Sequence, residues 1–177
     1  LRTRFEVPVI GVIAPGARAA VAATRNHKVG VIGTEATIAS GSYTRALRAL
    51  DPALEIYTRA CPLLVPLAEE GWVDNEVARS AVALYLASLR QSGIDTLVLG
   101  CTHYPLLAPV IRDYLGPAVT IVDSAEETAR EVVTTLAARG VALGEARRRG
   151  RRRGSPPVVA VGATPRGRRR GNPPWSP

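Results

Sequence analysis

Residues 94–105 read IDTLVLGCTHYP, and the first six of them, 94–99, form an apolar run between turn-forming residues. Such a run is typical of a buried strand. The segment 76–91 before it has the spacing of a long helix, and a second helix is predicted for residues 105–114. The stretch therefore predicts a helix–strand–helix unit, with a short loop at residues 100–104 on the carboxyl end of the strand.

The alternation of strands and helices continues on both sides of this unit. Ser124 followed by Glu127 predicts a capping box at the start of the last helix. Strands are predicted at residues 8–13, 28–32, 54–58 and 119–122, helices at 15–23, 37–50 and 124–140, and a loop at 61–71. This order favours βαβ units. The sequence therefore predicts an α/β fold with a parallel sheet, whose ligands bind at the carboxyl ends of the strands.

The composition excludes several classes of protein. The chain has 177 residues, 46% of them hydrophobic, which is enough to build the core of one domain. Its two cysteines, Cys61 and Cys101, exclude a disulfide-rich scaffold and favour a reducing cytoplasm. No apolar run approaches the roughly 18 residues of a membrane helix, and no signal peptide is recognisable. We therefore expect no membrane partner.

The positive charge of the chain is confined to its last part. The net charge is +8, but residues 1–140 alone carry −1. Residues 146–177 consist largely of Arg, Gly and Pro, which predicts a disordered tail. Such a tail can bind nucleic acid through phosphates. The rest of the chain offers no matching basic surface, so a solvated tail is favoured, and a shifted reading frame is a further hypothesis for its composition.

The loop at residues 100–104 contains the strongest candidate for chemistry. Cys101 follows a buried strand and precedes a helix, where backbone N–H groups and the helix dipole favour a thiolate. His103 can exchange protons, and Thr102 offers a hydroxyl. The spacing leaves Cys101 three roles: nucleophile, general base or structural thiol at a strand end. No second Cys or His lies at the spacing of a zinc site, so no metal is predicted.

Other polar residues follow the neighbouring strands. Glu69 and Glu70 lie in the long predicted loop, where one can be a carboxylate of the cleft and the other a solvated charge. Thr34 and Thr37 follow the second strand, and their hydroxyls can hold a substrate carboxylate or simply cap a helix. Cys61 is interpreted as a structural thiol. The sequence has no glycine-rich motif for phosphate binding.

Residues 97–107, LVLGCTHYPLL, resemble the second cysteine motif of bacterial glutamate racemases. Four further stretches of the sequence resemble the same family in order and spacing: 8–18 (PVIGVIAPGAR), 29–37 (VGVIGTEAT), 60–71 (ACPLLVPLAEEG) and 121–129 (IVDSAEETA). The resemblance covers residues 5–140. It implies a three-layer, parallel-sheet lobe of a two-lobe racemase.

The resemblance implies the interconversion of L- and D-glutamate without a cofactor, which supplies D-glutamate for peptidoglycan. Inversion needs a base on one face of the α-carbon and a second group on the other. The family uses two cysteines, one from each lobe. Cys101 would be the second of them, acting on the L-glutamate face with the help of His103. The other implied site residues are Glu69 as the cleft carboxylate and Thr102, His103, Thr34 and Thr37 as substrate ligands.

The Asp-Ser and Cys-Asn-Thr motifs of the family's first lobe have no counterpart in this sequence. We therefore expect residues 1–124 to form the second lobe, residues 125–145 to form a helix that returns to the first lobe, and residues 146–177 to form the tail. The expected partners are glutamate and the first lobe, with a homodimer as a further arrangement. We expect the 177-residue chain to be inactive alone.

Three other functions stay open from the sequence. The first is a related cofactor-independent racemase that acts on aspartate or hydantoins. The second is a non-catalytic protein that binds nucleic acid through the basic tail. The third is a Cys–His hydrolase that forms a covalent acyl-enzyme at Cys101.

Overall fold

The structure, a computed structural model, describes residues 9–140. It contains one sheet of four parallel strands with the order β2-β1-β3-β4. The elements are, in chain order, α1 (Ile13–Ala23), β1 (Lys28–Gly33), α2 (Glu35–Ala39), α3 (Ser42–Leu50), β2 (Glu55–Ala60), α4 (Leu64–Glu69), α5 (Glu76–Gln91), β3 (Thr96–Leu99), a 3-10 turn (Tyr104–Leu107), α6 (Ala108–Leu115), β4 (Thr120–Asp123) and α7 (Ser124–Ala138). The predicted tail lies outside the described residues.

Helices cover both faces of the sheet, which confirms the predicted three-layer α/β fold. Val31 and Val98 pair across β1 and β3 and face a core that they share with residues of α1 and α3. Ile32 and Leu97 point to the opposite face and enter a core formed with α4, α5 and α6. Because side chains alternate along a strand, one apolar run supplies both cores. The two central strands, β1 and β3, are buried on both sides.

Gly30 makes room for core side chains against β1. A Cβ added to Gly30 would lie 2.7 Å from the Ile94 Cδ1 and 3.0 Å from the Leu97 Cδ1. Leu89 of α5 packs in the same core and would lie 3.7 Å away, at ordinary contact distance. A larger residue at position 30 would therefore displace the Ile94 and Leu97 side chains.

Asp95 ties the amino end of the sheet to the turn after α1. Its carboxylate accepts hydrogen bonds from the Thr24 hydroxyl at 2.7 Å and from the backbone N–H groups of Arg25 and Asn26 at 2.7 and 2.8 Å. Partial burial opposes the charged form, but these bonds and one from Thr96 outweigh it and lower the pKa of Asp95. The charged carboxylate therefore stabilises this connection.

Two of the predicted elements are wrong. The described part of the strand predicted at residues 8–13 forms no strand; α1 begins at Ile13 instead, and Val12 is half exposed. An apolar run cannot form a strand without a hydrogen-bonding neighbour, and periodicity alone does not show whether it has one. The helix predicted at residues 37–50 is divided into α2 and α3, because Gly41 adopts a left-handed conformation with φ +61°.

Two further predictions change in detail. The loop predicted at residues 61–71 contains α4, which accommodates Pro66 in its first turn because an N–H there has no partner within the helix. Asp123, not Ser124, caps α7 by accepting from the N–H groups of Ala125 and Glu126. The Ser124 hydroxyl is buried and accepts from the Tyr43 hydroxyl instead.

Helix α7 packs against α1, and Arg18 of α1 forms an ion pair with Glu131 of α7. The predicted divisions at residues 124 and 145 stay predictions. Within residues 9–140, no helix combines the length and the hydrophobicity that crossing a bilayer requires.

Candidate active site

The loop after β3 is held against the end of β1 by a glycine. The Gly100 N–H donates to the Ile32 carbonyl at 2.8 Å. A Cβ at this position would lie 2.8 Å from the same oxygen and 3.0 Å from the Tyr43 ring. Because only glycine fits, the backbone of the next residue, Cys101, has a fixed place at the carboxyl edge of the sheet.

Cys101, His103 and Glu69 form a continuous polar chain. The Cys101 Sγ lies 3.7 Å from the His103 Nδ1, and the His103 Nε2 lies 3.3 Å from a carboxylate oxygen of Glu69. Cys101 and the imidazole are partly buried, whereas 60% of the Glu69 side chain is exposed. With its proton on Nε2, the imidazole presents the Nδ1 lone pair to the thiol, while its Nε2 lies beside the Glu69 carboxylate. This arrangement can move a proton between sulfur and imidazole.

The three residues of this polar contact chain come from two different segments. Glu69 is the last residue of α4, while Cys101 and His103 belong to the loop after β3. The buried Tyr104 connects them, because its hydroxyl donates to the Cys61 carbonyl at 2.9 Å, just before α4 begins. Burial raises the pKa of Tyr104 above its ordinary value, so the hydroxyl keeps its proton. The role of Tyr104 was not predictable from the sequence, since nothing in the spacing reveals a hydrogen-bond partner as distant in the chain as Cys61.

The second cysteine is structural, as predicted. Cys61 is fully buried at the end of β2, and its thiol contacts the Arg59 carbonyl at 3.7 Å. Burial raises the pKa of the Cys61 thiol to about 12, so it stays protonated at neutral pH. Within residues 9–140, Cys101 is therefore the one cysteine that solvent reaches.

Thr34 and Thr37 lie at the carboxyl end of β1, beside the loop that carries Cys101. The Thr34 hydroxyl accepts from the Thr37 N–H at 3.3 Å and lies 2.9 Å from the Thr37 hydroxyl, so the capping interpretation is correct. The Thr37 methyl would be 3.6 Å from a Cβ at Gly100. A substrate role for the two hydroxyls stays a prediction.

A small cavity lies beside Cys101. Its volume is about 50 Å³, and its lining includes Tyr43, Gly100, Cys101, Thr102 and Ser124. Pockets that enclose small ligands typically hold at least roughly 300 Å³. This cavity therefore accommodates part of a small molecule or water, and an enclosed substrate would need further walls.

The remaining candidates are separated from this cluster. Glu70 is exposed after the end of α4, and the ion pair with His103 involves Glu69. The structure therefore distinguishes the two glutamates that the sequence left open. No group of three His, Cys, Asp or Glu side chains in the described part of the chain is arranged to hold a metal.

Known proteins are similar to this chain in sequence and in fold. The profile of the Asp/Glu/Hydantoin racemase family matches residues 1–132. A curated glutamate racemase of Geobacter metallireducens is 59% identical over 136 residues, which are 77% of this chain and 50% of that protein. The chain thus spans about half the length of the curated relatives it matches.

Solved structures agree with the sequence comparison. The crystal structure of a glutamate racemase isoform from Bacillus anthracis matches with a TM-score of 0.75 and 47% identity, over 79% of this chain and 53% of that one. A glutamate racemase from Francisella tularensis, crystallised in complex with D-glutamate, matches with a TM-score of 0.71 and 30% identity, over 78% of this chain and 51% of that one. Together with the matched profile, these likenesses show that the chain belongs to the Asp/Glu/hydantoin racemase family.

Proposed function

We propose that this chain provides one half of the active site of a glutamate racemase, with Cys101 as one of its two proton-transfer groups. The observation that carries the proposal is the contact chain from the Cys101 thiol through His103 to Glu69. The 59% identity to a protein named glutamate racemase favours glutamate over aspartate or a hydantoin as substrate. D-glutamate made in this way would serve peptidoglycan synthesis, in a reducing cytoplasm that keeps the thiol active.

The proposed reaction begins with activation of the thiol. The His103 Nδ1 takes the proton from Cys101, and Glu69 stabilises the resulting imidazolium through Nε2. The Cys101 thiolate then removes the α-proton of L-glutamate, which forms the S–H bond. The electron pair of the broken C–H bond passes to the α-carbon and is delocalised into the carboxylate. No step requires a cofactor.

Inversion requires a second group on the opposite face of the α-carbon, which donates a proton to the carbanion and so forms the new C–H bond of D-glutamate. Cys61 cannot supply it, because its side chain is fully buried in the core. We propose that this group lies in the half of the relatives that this chain does not match. The first lobe would then also close the small cavity beside Cys101 into a full substrate pocket. The 177-residue chain alone is expected to be inactive.

Substrate binding is assigned to hydroxyls beside the thiol. Thr102 is exposed next to Cys101, and Thr34 and Thr37 lie at the neighbouring strand end. Hydroxyl donors at this edge can bind the two carboxylates of glutamate. We propose these three residues, with His103, as substrate ligands.

A joined protein tests the proposed function. The amino-terminal half of the Geobacter metallireducens relative is fused to this chain, and the fusion and the chain alone are incubated with L-glutamate, L-aspartate and a hydantoin. We expect only the fusion to form product and only from glutamate, as measured by chiral chromatography. A folded fusion that prefers aspartate or a hydantoin would contradict the substrate assignment, and a covalent acyl adduct at Cys101 would favour the hydrolase.

A further inference from the structure

A buried hydrogen bond lies directly behind the Cys101 loop. The Tyr43 hydroxyl donates to the Ser124 Oγ at 2.9 Å. Both residues are nearly inaccessible, with 4% of Tyr43 and 5% of Ser124 exposed. Tyr43 lies at the start of α3 and Ser124 at the start of α7, so the bond joins two helices from separate parts of the chain.

The Tyr43 ring also contacts the loop itself. Its Cε2 lies 3.0 Å from the position of a Cβ on Gly100, whose N–H is bound to the end of β1. The loop backbone is thus clamped between the Ile32 carbonyl and this ring. A shift of the ring would shift Gly100 and, with it, the adjacent Cys101.

Ser124 lies against a glycine of α1. A Cβ on Gly16 would lie 2.6 Å from the Ser124 Oγ, so the glycine makes room for this hydroxyl. Ser124 also lines the cavity beside Cys101, together with Tyr43 and Thr102.

We propose that the Tyr43–Ser124 pair is a positioning device that fixes the Cys101 loop and, with it, the place of the thiol. The role assigned to Cys101 rests on the proposed function, but the geometry of the pair does not. Burial, ahead of any contribution from neighbouring charges, raises the pKa of Tyr43, so its hydroxyl remains a donor at neutral pH. The pair acts on the thiol through the position of the loop.

The reactivity of Cys101 tests the proposal without requiring racemisation. In the full 177-residue chain, the rate of Cys101 alkylation by iodoacetamide at pH 8 is measured by peptide-resolved mass spectrometry. Tyr43→Phe keeps the ring against Gly100 and removes only the hydroxyl, while Ser124→Ala removes the acceptor. We expect each variant to slow alkylation by about fivefold, the effect of one neutral hydrogen bond. Because both remove the same bond, the double variant should be no slower than either single one.

A control separates positioning from general stability. Val122→Ala removes buried methyl groups from the same core as Tyr43 but touches no hydroxyl, and we expect unchanged alkylation despite its lower stability. In the fusion protein, Tyr43→Phe should lower kcat with KM unchanged. Unchanged or faster alkylation in Tyr43→Phe and Ser124→Ala, or equal slowing in Val122→Ala, would overturn the proposal. A fusion without racemase activity would contradict the proposed function only, since alkylation is measured separately.

Discussion

The His103 Nε2 lies 3.3 Å from the Glu69 carboxylate, although the two residues belong to different segments at the carboxyl edge of the sheet. The other ring nitrogen of His103, Nδ1, faces Cys101. The Glu69 carboxylate therefore lies where it can stabilise the imidazolium that the proposed transfer of the Cys101 proton would form.

Glu69→Gln is expected to reduce kcat/KM of the fusion protein by no more than about fivefold. The reason for the modest effect is that 60% of the Glu69 side chain is exposed, and solvent screens exposed ion pairs to at most about 1 kcal/mol. Steady-state kinetics with L-glutamate measure it. Glu70→Gln is the matched control, since this neighbouring exposed carboxylate has no contact with His103 and should have no effect. Equal losses in both variants would contradict the role of Glu69.

Gly100→Ala is expected to lower the free energy of unfolding by about 1–3 kcal/mol, the usual cost of overpacking. The added methyl would lie 2.8 Å from the Ile32 oxygen, so the backbone before Cys101 must move. Urea unfolding measures the change. Gly11→Ala is the control, because a Cβ at that position meets nothing within 4 Å. Equal stability of Gly100→Ala and the unmodified chain would show that the loop is not clamped.

Asp95→Asn is expected to lower the free energy of unfolding by about 1–3 kcal/mol at pH 7, because charge-assisted hydrogen bonds to Thr24, Arg25 and Asn26 are weakened. Folding lowers the pKa of Asp95, so its stabilisation is present above the unfolded value near 3.8 and is lost as the pH falls below it. The difference between the variant and the unmodified chain should thus shrink below pH 4. Asp113→Asn, at a mostly exposed position, should change little.

The buried Cys61 thiol is expected to lower the free energy of unfolding at alkaline pH. Burial raises the pKa of its thiol from 9.0 to about 12, so the folded state holds the proton more firmly than the unfolded state. This stabilisation is present below pH 9 and is lost as the pH rises towards 12. Between pH 9 and 10, the free energy of unfolding should fall by about 1 kcal/mol more in the unmodified chain than in Cys61→Ala. Parallel pH profiles from urea unfolding would contradict the burial of this thiol.

Much of the fold is predictable because local patterns and packing agree. The helix predicted at 76–91 has those bounds in the structure, since Asn75 caps it and Gly93 follows it in a left-handed conformation. The central strand β3 follows from its apolar run alone. The strand predicted at residues 8–13 is wrong because an apolar segment forms a strand only beside a neighbouring strand. The segment itself does not encode whether that neighbour is present.

The candidate site was only partly predictable. Cys101 and His103 are close in sequence, so their contact follows from one loop. The choice of Glu69 over Glu70 depends on the rotation of α4, a helix that the sequence did not predict. The bond from Tyr43 to Ser124 joins residues on different helices, and Ser124 instead gave a capping signal that Asp123 fulfils. Tertiary packing decides such contacts.

Racemisation by the fusion protein and by two of its cysteine variants tests whether Cys101 transfers the α-proton. L-glutamate is incubated in D₂O, and formation of D-glutamate and deuterium incorporation at the α-carbon are followed by chiral chromatography and NMR. We expect the unmodified fusion to form α-deuterated D-glutamate and Cys61→Ala to retain this activity. Cys101→Ser should lower the activity at least about 100-fold, the typical contribution of an acid–base group. Full activity in a folded Cys101→Ser fusion would contradict the role proposed for Cys101.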